Sequence, residues 1–591
     1  MKALLPLNKY FIRYGGRFFG GIVFILISTW FSLRPVDLVG QGLDFAAWSR
    51  EHQIDSDTTV HILLLFGLEI IIHTLIFGFF LFLNRQTIIV MSRLIEYDLK
   101  NDIFDHYQRL DQTFYKRNNT GDLMNRISED VGRVRMYVGP AVMYTISTMV
   151  TLIMTISFMF KSDARMALWV LAPLPVLTIA IYFVSNIINK KSLRVQQQQA
   201  ALSTHVQEAV SGMRVIKAFA REDSVQSQFE KKAEEYRKRT LELSKTDSLF
   251  QPFMMLLIGL SIILTIYIGG NEAISGKVSV GTITAFVLFV IRLTWPIASL
   301  GWVTSLIQRA AASQERINEF LQTEPAIKNP TTAPLQFKGR IEFRDVHFTY
   351  PDSGIKAIQG LSFKVEPGKS VAFIGKTGSG KSTIAQLILR LFDADKGQIL
   401  IDGQPIHSIN LDELREKTGY VPQEVFLFSD TIAGNIGFSV HDTNELRELQ
   451  PKIEQAAKDA VVYNNIMDFP EKFDTVVGER GVTLSGGQQQ RISIARALIK
   501  EPVLLLFDDC LSAVDTETED EILNNLKRIM KDKTTVIISH RVSSVKNADT
   551  IVVLDDGKTV EQGTHTELLN KAGVYAELYK KQVEELKKNG G

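Results

Sequence analysis

Hydrophobic and polar positions divide this chain into two unlike halves. Six apolar runs fall in the first half: Phe18–Leu38, Ile62–Leu83, Val138–Phe160, Met166–Ile188, Phe250–Ile268 and Val280–Ile307. Each is close to the ~20 residues a helix needs to cross a bilayer. Buried helices of a soluble protein are the other use for such runs. Six of them before residue 310 and none after it favour membrane spans. Between the spans, Arg85–Arg135 and Lys190–Lys245 are rich in helix formers and poor in breakers, so the spans are expected to continue as long polar helices. About 25 such residues would reach about 37 Å past the membrane. Turns are expected at Asn118–Asp122 (NNTGD) and Ser211–Arg214 (SGMR).

After Ile307 the pattern changes. Gln322–Phe337 carries Pro325, Pro330 and Pro334 and predicts an extended linker. Beyond it, short apolar strands alternate with helical stretches, as in a parallel α/β domain. The predicted organisation is multi-domain. An interfacial elbow helix spans 1–16, and an all-α transmembrane domain of six helices spans 17–321. A linker (322–337) leads to an α/β domain over 338–591.

Charge orients the spans. Arg85–Arg135 holds 9 basic residues and Lys190–Lys245 holds 12, whereas the opposite-side segments hold few. The positive-inside rule then places both long segments, both chain ends and the second domain in the cytosol, around a multi-pass span of the cell's inner membrane. The first residues read as an amphipathic helix on the membrane face, with Lys2, Lys9 and Arg13 toward lipid phosphates, rather than as a cleaved signal peptide. Overall, 66 Lys and Arg balance 65 Asp and Glu, so no nucleic-acid partner is indicated. The one cysteine, Cys510, excludes a disulfide within the chain and reads as a small core residue.

Chemistry concentrates in the second half. Gly375–Ser382 reads GKTGSGKS and fits G-x-x-x-x-G-K-[ST], with an apolar strand before it and a helical stretch after it. In such a loop the backbone of Gly375, Lys376, Thr377, Gly378, Ser379, Gly380 and Thr383 faces phosphate oxygens. Lys381 reaches the β- and γ-phosphates, and Ser382 ligates Mg²⁺. A strand ending at Asp508 supplies the second half of an ATP and Mg²⁺ site.

Leu484–Gln488 reads LSGGQ and ends 20 residues before Asp508. With the phosphate loop, this resembles the nucleotide-binding domain of ABC (ATP-binding cassette) proteins. The whole chain is similar to an ABC exporter half-transporter of the multidrug or lipid type. The resemblance implies further roles. Tyr350 would stack on adenine, Gln423 would sense Mg²⁺ and the membrane domain, and His540 would contact the γ-phosphate. Thr475–Gly481 would touch the turns of the polar helices, and Ser512–Asp515 would cross to a partner. The two turns, at Asn118–Asp122 and from Ser211, would dock on the cassettes. Leu484, Ser485, Gly486, Gly487 and Gln488, followed by a helix from about Gln489, would cap ATP held by the partner's phosphate loop. Two chains would thus sandwich two ATP molecules.

One position departs from the family. The residue after the strand-end aspartate is usually glutamate, which polarises the attacking water; here it is Asp509. It is one methylene shorter, which withdraws the carboxylate by ~1.5 Å, and a ~1 Å misplacement can cost ~100-fold. The resemblance therefore favours the Asp-bearing subunit of a heterodimer, with an intact signature that serves the partner's site. A homodimeric lipid-flippase-type exporter using a weaker base is the alternative, as is an ATP-gated channel or regulator on the same scaffold. No stretch after Glu561 reads as a regulatory domain.

Within the spans, Glu69 and His73 share a helix face and Arg292 sits one turn before Pro296. Ionisable groups at that depth either line the path of a hydrophobic substrate or neutralise one another, and Glu69 with Arg292 is the candidate pair. The transported substrate is not legible.

Overall fold

In the computed structural model the chain is described over residues 2–440, 446–478, 481, 484–510 and 516–589. It divides into two compact units, residues 1–108 with 121–323, and residues 109–120 with 324–591.

The first unit is helical. Among its described residues, five helices are long and apolar enough to cross a membrane: Gly15–Glu51, Ser56–Arg109, Thr120–Ser162, Glu222–Ile274 and Val280–Leu321. The 53 residues of Glu222–Ile274 amount to about 80 Å of helix, far more than a ~30 Å hydrocarbon layer. The polar extensions expected between the spans are therefore continuous with them. The fourth expected span, Met166–Ile188, is not one helix. It folds as Ala164–Leu171 followed by Pro173–Ser211. Pro173 has no N–H to give to a continuing helix and starts a new one instead.

The unit's core gathers Leu33, Met159, Phe286, Phe289 and Leu293, all essentially inaccessible. Two glycines let two of the spans meet backbone to backbone. A Cβ on Gly281 would lie 2.0 Å from the Gly40 carbonyl oxygen, the close approach that small residues permit between membrane helices. The junction is tied by Asp44, which accepts from the Gly281 N–H at 2.7 Å and the Ser279 hydroxyl at 2.6 Å.

The N-terminal segment is tied to a neighbouring helix. It is a 3₁₀ turn, Lys2–Leu7, and a short α-helix, Asn8–Arg13. Lys9 pairs with Asp102 at 3.0 Å and Arg13 with Asp98 at 2.9 Å. The hydroxyls of Tyr10 and Tyr14 donate to the same two carboxylates at 2.6 and 2.9 Å. Lys9 and Arg13 are thus paired with the helix Val90–Arg109, while their side chains stay largely exposed. Burial and the Asp102 contact push the Tyr10 phenol well above its usual range, so it stays a donor.

The second unit is α/β with two sheets. One is antiparallel: β1 (Ile341–Thr349), β2 (Lys356–Val365), β4 (Lys396–Ile401) and β5 (Gln404–Pro405), ordered β2-β1-β4-β5. The other contains β3 (Ser370–Gly375), β6 (Thr418–Val421), β7 (Leu504–Asp508), β8 (Thr534–Ser539), β9 (Thr550–Asp555) and β10 (Lys558–Gly563). Its order is β10-β9-β3-β8-β7-β6, parallel except for the β10 edge. The antiparallel sheet is an addition that alternation alone did not predict. The near-continuous apolar β3 and β7 are buried along their length, as strands covered on both faces must be.

Most of the linker segment forms neither helix nor strand, but it is not free. Leu335 and Phe337 are buried in the core, and the Ala326 N–H donates to Asp111 at 2.6 Å. Residues 109–120, between two spans, belong to this unit. Cys510 is buried in the second core cluster, as expected.

Candidate nucleotide site

Sheet topology gathers the site. β3 neighbours β8, and β8 neighbours β7, with Ile374 opposite Ser539 and Asp508 opposite Ile538. The phosphate loop, Asp508–Asp509 and Ser539–His540 therefore leave the same carboxyl edge, where open α/β sheets take ligands. A cavity of about 280 Å³ lies there, lined by Tyr350, Lys381, Ser382, Gln423, Asp509 and His540 among others.

The loop runs directly into the helix Lys381–Ile388, whose first turn has no side-chain cap and so offers its amides to an anion. Gly380 at its start has φ of +90°, and a Cβ there would lie 2.1 Å from the Ala357 carbonyl oxygen. Strain and clash act together, so Gly380→Ala is expected to cost at least about ten-fold in ATP affinity by titration of the purified protein. The Lys381 ammonium donates to the carbonyls of Gly375 at 2.8 Å and Lys376 at 2.7 Å and to Ser379 Oγ at 3.3 Å, which uses its three donors within the loop. Burial draws its pKa down, against the opposing pull of Asp509 and Asp508.

Ser382 Oγ donates to Asp508 Oδ1 at 2.8 Å. Burial pushes the Asp508 carboxyl up to about 6, with Asp509 adding to the rise while Ser382 and Lys381 oppose it. A desolvated carboxylate beside a hydroxyl fits Mg²⁺, which takes one or two protein oxygens and completes its shell with phosphates and water. Among the described residues no group of three or more His, Cys, Asp or Glu could hold a metal ion by itself. Gln423, the other expected ligand, is exposed and lines the cavity.

Asp509 sits in the left-handed region, φ +47°, which Asp tolerates better than most residues. It is 9% exposed, and its Oδ1 lies 3.0 Å from His540 Nδ1. The carboxylate and imidazole thus form a contact pair at the cavity wall.

Tyr350 lines the same cavity. Its hydroxyl is 2.9 Å from Thr383 Oγ1 and donates to Gln386 at 3.0 Å, so the ring is fixed to the helix that follows the phosphate loop. The Lys116 ammonium sits over the ring, 4.0 Å from its centre. No sequence signal pointed to Lys116, because 234 positions separate it from Tyr350.

LSGGQ lies elsewhere. The helix begins at Gly486, not near Gln489, and runs to Leu498. Ser485 and Gln488 close a capping box, the Ser485 hydroxyl accepting from the Gln488 N–H. Leu484 is buried beneath, Ser485 and Gly486 are exposed, and Gly487 is half-buried. None of the five lines the nucleotide cavity of its own chain. Arg496 fastens this helix to Asn435 and Phe426, a few residues past Gln423. Ser512–Asp515, Glu479 and Arg480 lie outside the described residues.

In the first unit, His73 Nδ1 is 2.9 Å from the Glu69 carbonyl oxygen, so the two share a helix face as expected. Arg292 does not pair with Glu69; its guanidinium donates to Ser32, and its Nε is buried without a partner. Arg292 and Ser32 lie on spans that pack together, and the His73 ring lies 5.5 Å from that of Phe31.

Comparison with known proteins gives a consistent answer. A family model described as ABC transporter transmembrane region matches residues 16–297, and one described as ABC transporter matches 358–512. The chain is 34% identical to a probable multidrug resistance ABC transporter ATP-binding/permease protein, YheI of Bacillus subtilis, over 98% of this chain and 97% of the relative. It is 32% identical to the multidrug resistance-like ATP-binding protein MdlA of Escherichia coli, over 98% and 97%. An ATP-dependent lipid A-core flippase of Shewanella frigidimarina is 32% identical, over 98% and 97%. The solved structure of a bacterial Atm1-family ABC exporter with ATP bound superposes with a TM-score of 0.78 at 26% identity, over 96% of this chain and 98% of that one.

Proposed function

Because the chain belongs to the ABC transporter family and joins the transmembrane region to an ATP-hydrolysing domain, we propose that it is half of a dimeric exporter. It moves hydrophobic or amphipathic molecules outward across the cytoplasmic membrane, with the ATP-binding domain and both chain ends in the cytosol. The excess of Lys and Arg in Arg85–Arg135 and Lys190–Lys245 supports that orientation. Relatives named for multidrug resistance and for lipid A-core flipping support the substrate class.

The observation that carries the dimer is the separation of LSGGQ from the cavity its own chain builds. A signature loop with an exposed serine and a helix amino end suits a phosphate presented by another chain. The tip of the second polar hairpin gives further support. Val215 and Phe219 are 61% and 73% exposed there, an apolar face that a partner's cassette would cover.

Within the site, the phosphate loop and Lys381 bind the triphosphate, and Ser382 and Asp508 would hold Mg²⁺, which would supply positive charge against the phosphates. Asp509 orients the attacking water and takes its proton. His540 holds Asp509 from the other side. Its short side chain makes this the slow site, and the partner is a second half-transporter with glutamate at the matching position and a degraded signature. The homodimeric reading keeps one point in its favour: Asp509 still lines the cavity.

Proteoliposomes test the transport reading. Vesicles holding the co-purified dimer should accumulate a lipophilic cationic or anionic dye only with ATP and Mg²⁺ outside. Arg292→Gln should lower both transport and cargo-stimulated ATP hydrolysis. Unchanged transport at reduced protein yield would give Arg292 a purely structural role, and dye movement without ATP would refute export.

A further inference from the structure

We propose that Lys116 is a positioning residue for the nucleotide base: it sets the Tyr350 ring and so makes the loop between two membrane spans sensitive to whether the base is bound. The proposal rests on the nucleotide reading of the cavity given above.

Lys116 lies on the helix Gln112–Arg117, which belongs with the ATP-binding unit although both neighbours in sequence are membrane helices. Three contacts seat this helix. Asp111 caps it and also accepts from the Ala326 N–H at 2.6 Å. The Arg117 guanidinium donates to the Pro351 carbonyl at 3.1 Å. The Lys116 ammonium sits 4.0 Å from the Tyr350 ring centre and 5.0 Å from that of Phe392. Phe348 and Phe392 meet Tyr350 edge-on, at 5.0 and 5.7 Å, so the aromatic cluster is braced from the sides. Among the described residues no carboxylate pairs with Lys116, and the aromatic rings are its recorded partners.

The chemistry follows from the ring. A cation over a π face is attracted to the ring's quadrupole; Tyr350 lines the cavity and Lys116 does not, so a purine stacked from the cavity side shares the π system without displacing the ammonium. The Tyr350 hydroxyl is meanwhile tied to Thr383 and Gln386 on the helix after the phosphate loop. One ring therefore touches the base pocket, the phosphate helix and the inter-span loop. Base occupancy and Lys116 position are coupled through it, and such coupling is reciprocal.

The test measures binding to the full-length purified chain in nanodiscs, with ATP and with inorganic tripolyphosphate, which lacks a base. Lys116→Met should weaken ATP about two- to five-fold, the range one exposed cation–π contact supports, and leave tripolyphosphate unchanged. Lys116→Arg should restore ATP binding, since guanidinium also serves over an aromatic ring. In a Tyr350→Leu background Lys116→Met should have no further effect. Equal weakening of ATP and tripolyphosphate would assign Lys116 to structure alone and overturn the proposal, as would an undiminished effect in Tyr350→Leu. If Tyr350→Leu weakens ATP but Lys116→Met does not, the proposal fails while the nucleotide reading stands. If Tyr350→Leu also leaves ATP unaffected, the base does not stack there and the proposal fails; the nucleotide reading fails only if neither ATP nor tripolyphosphate binds the unaltered chain.

Discussion

Asp509→Glu should accelerate ATP hydrolysis at the site built on this chain, by about ten- to a hundred-fold in single-turnover assays of the dimer. Few substitutions at a catalytic position are expected to raise a rate. The reason is geometric. The Asp509 carboxylate lies against His540 Nδ1 at 3.0 Å and stays near the cavity wall. One more methylene carries the oxygens ~1.5 Å further toward the attacking water. The penalty is small: Glu tolerates the left-handed φ of +47° less well than Asp, about 1 kcal/mol. Asp509→Asn should instead leave the slow site slower still. A rate that falls on Asp509→Glu would mean that the short carboxylate is the arrangement this site was built around.

The second large effect concerns the other chain's ATP. Ser485→Asp keeps an N-cap acceptor as good as serine, so the helix Gly486–Leu498 and the thermal unfolding midpoint should be unchanged. It also puts a negative charge where a phosphate has to approach. Turnover by the dimer should drop about 10²–10³-fold, the usual cost of losing a preorganised donor to developing charge. ATP affinity at this chain's own phosphate loop should be unaltered, because Ser485 does not line that cavity. Loss of binding at the chain's own loop would show that the signature acts within one protomer.

What the sequence made legible was contiguous. GKTGSGKS, LSGGQ and the strand ending at Asp508 each carry their chemistry within a few residues, so spacing alone located them. The apolar runs found the spans for the same reason. The failures share a different cause: partners far apart in the chain. The pairing of Lys9 and Arg13 was not visible because Asp102 and Asp98 lie some 90 positions away. Arg292 was matched with Glu69 on charge, whereas the fold gives it Ser32. Lys116 carried no signal at all until the inter-span loop was placed beside Tyr350. Pro173 was visible, yet an apolar average across Met166–Ile188 concealed its power to split the helix. The antiparallel sheet was missed because β1 and β2 alternate like any half-buried strands, and pairing order is not a local property.

The central claim is that nucleotide held by one chain is sealed by the signature of another, and that this chain's own site is the slow one. The most direct measurement is steady-state ATP hydrolysis by the purified chain alone and by the chain co-purified with a glutamate-bearing partner, each with and without Ser485→Asp on this chain. The account predicts low turnover alone, a large increase with the partner, and loss of that increase with Ser485→Asp. Rapid hydrolysis by the isolated chain as a monomer, indifferent to both the partner and Ser485, would contradict it.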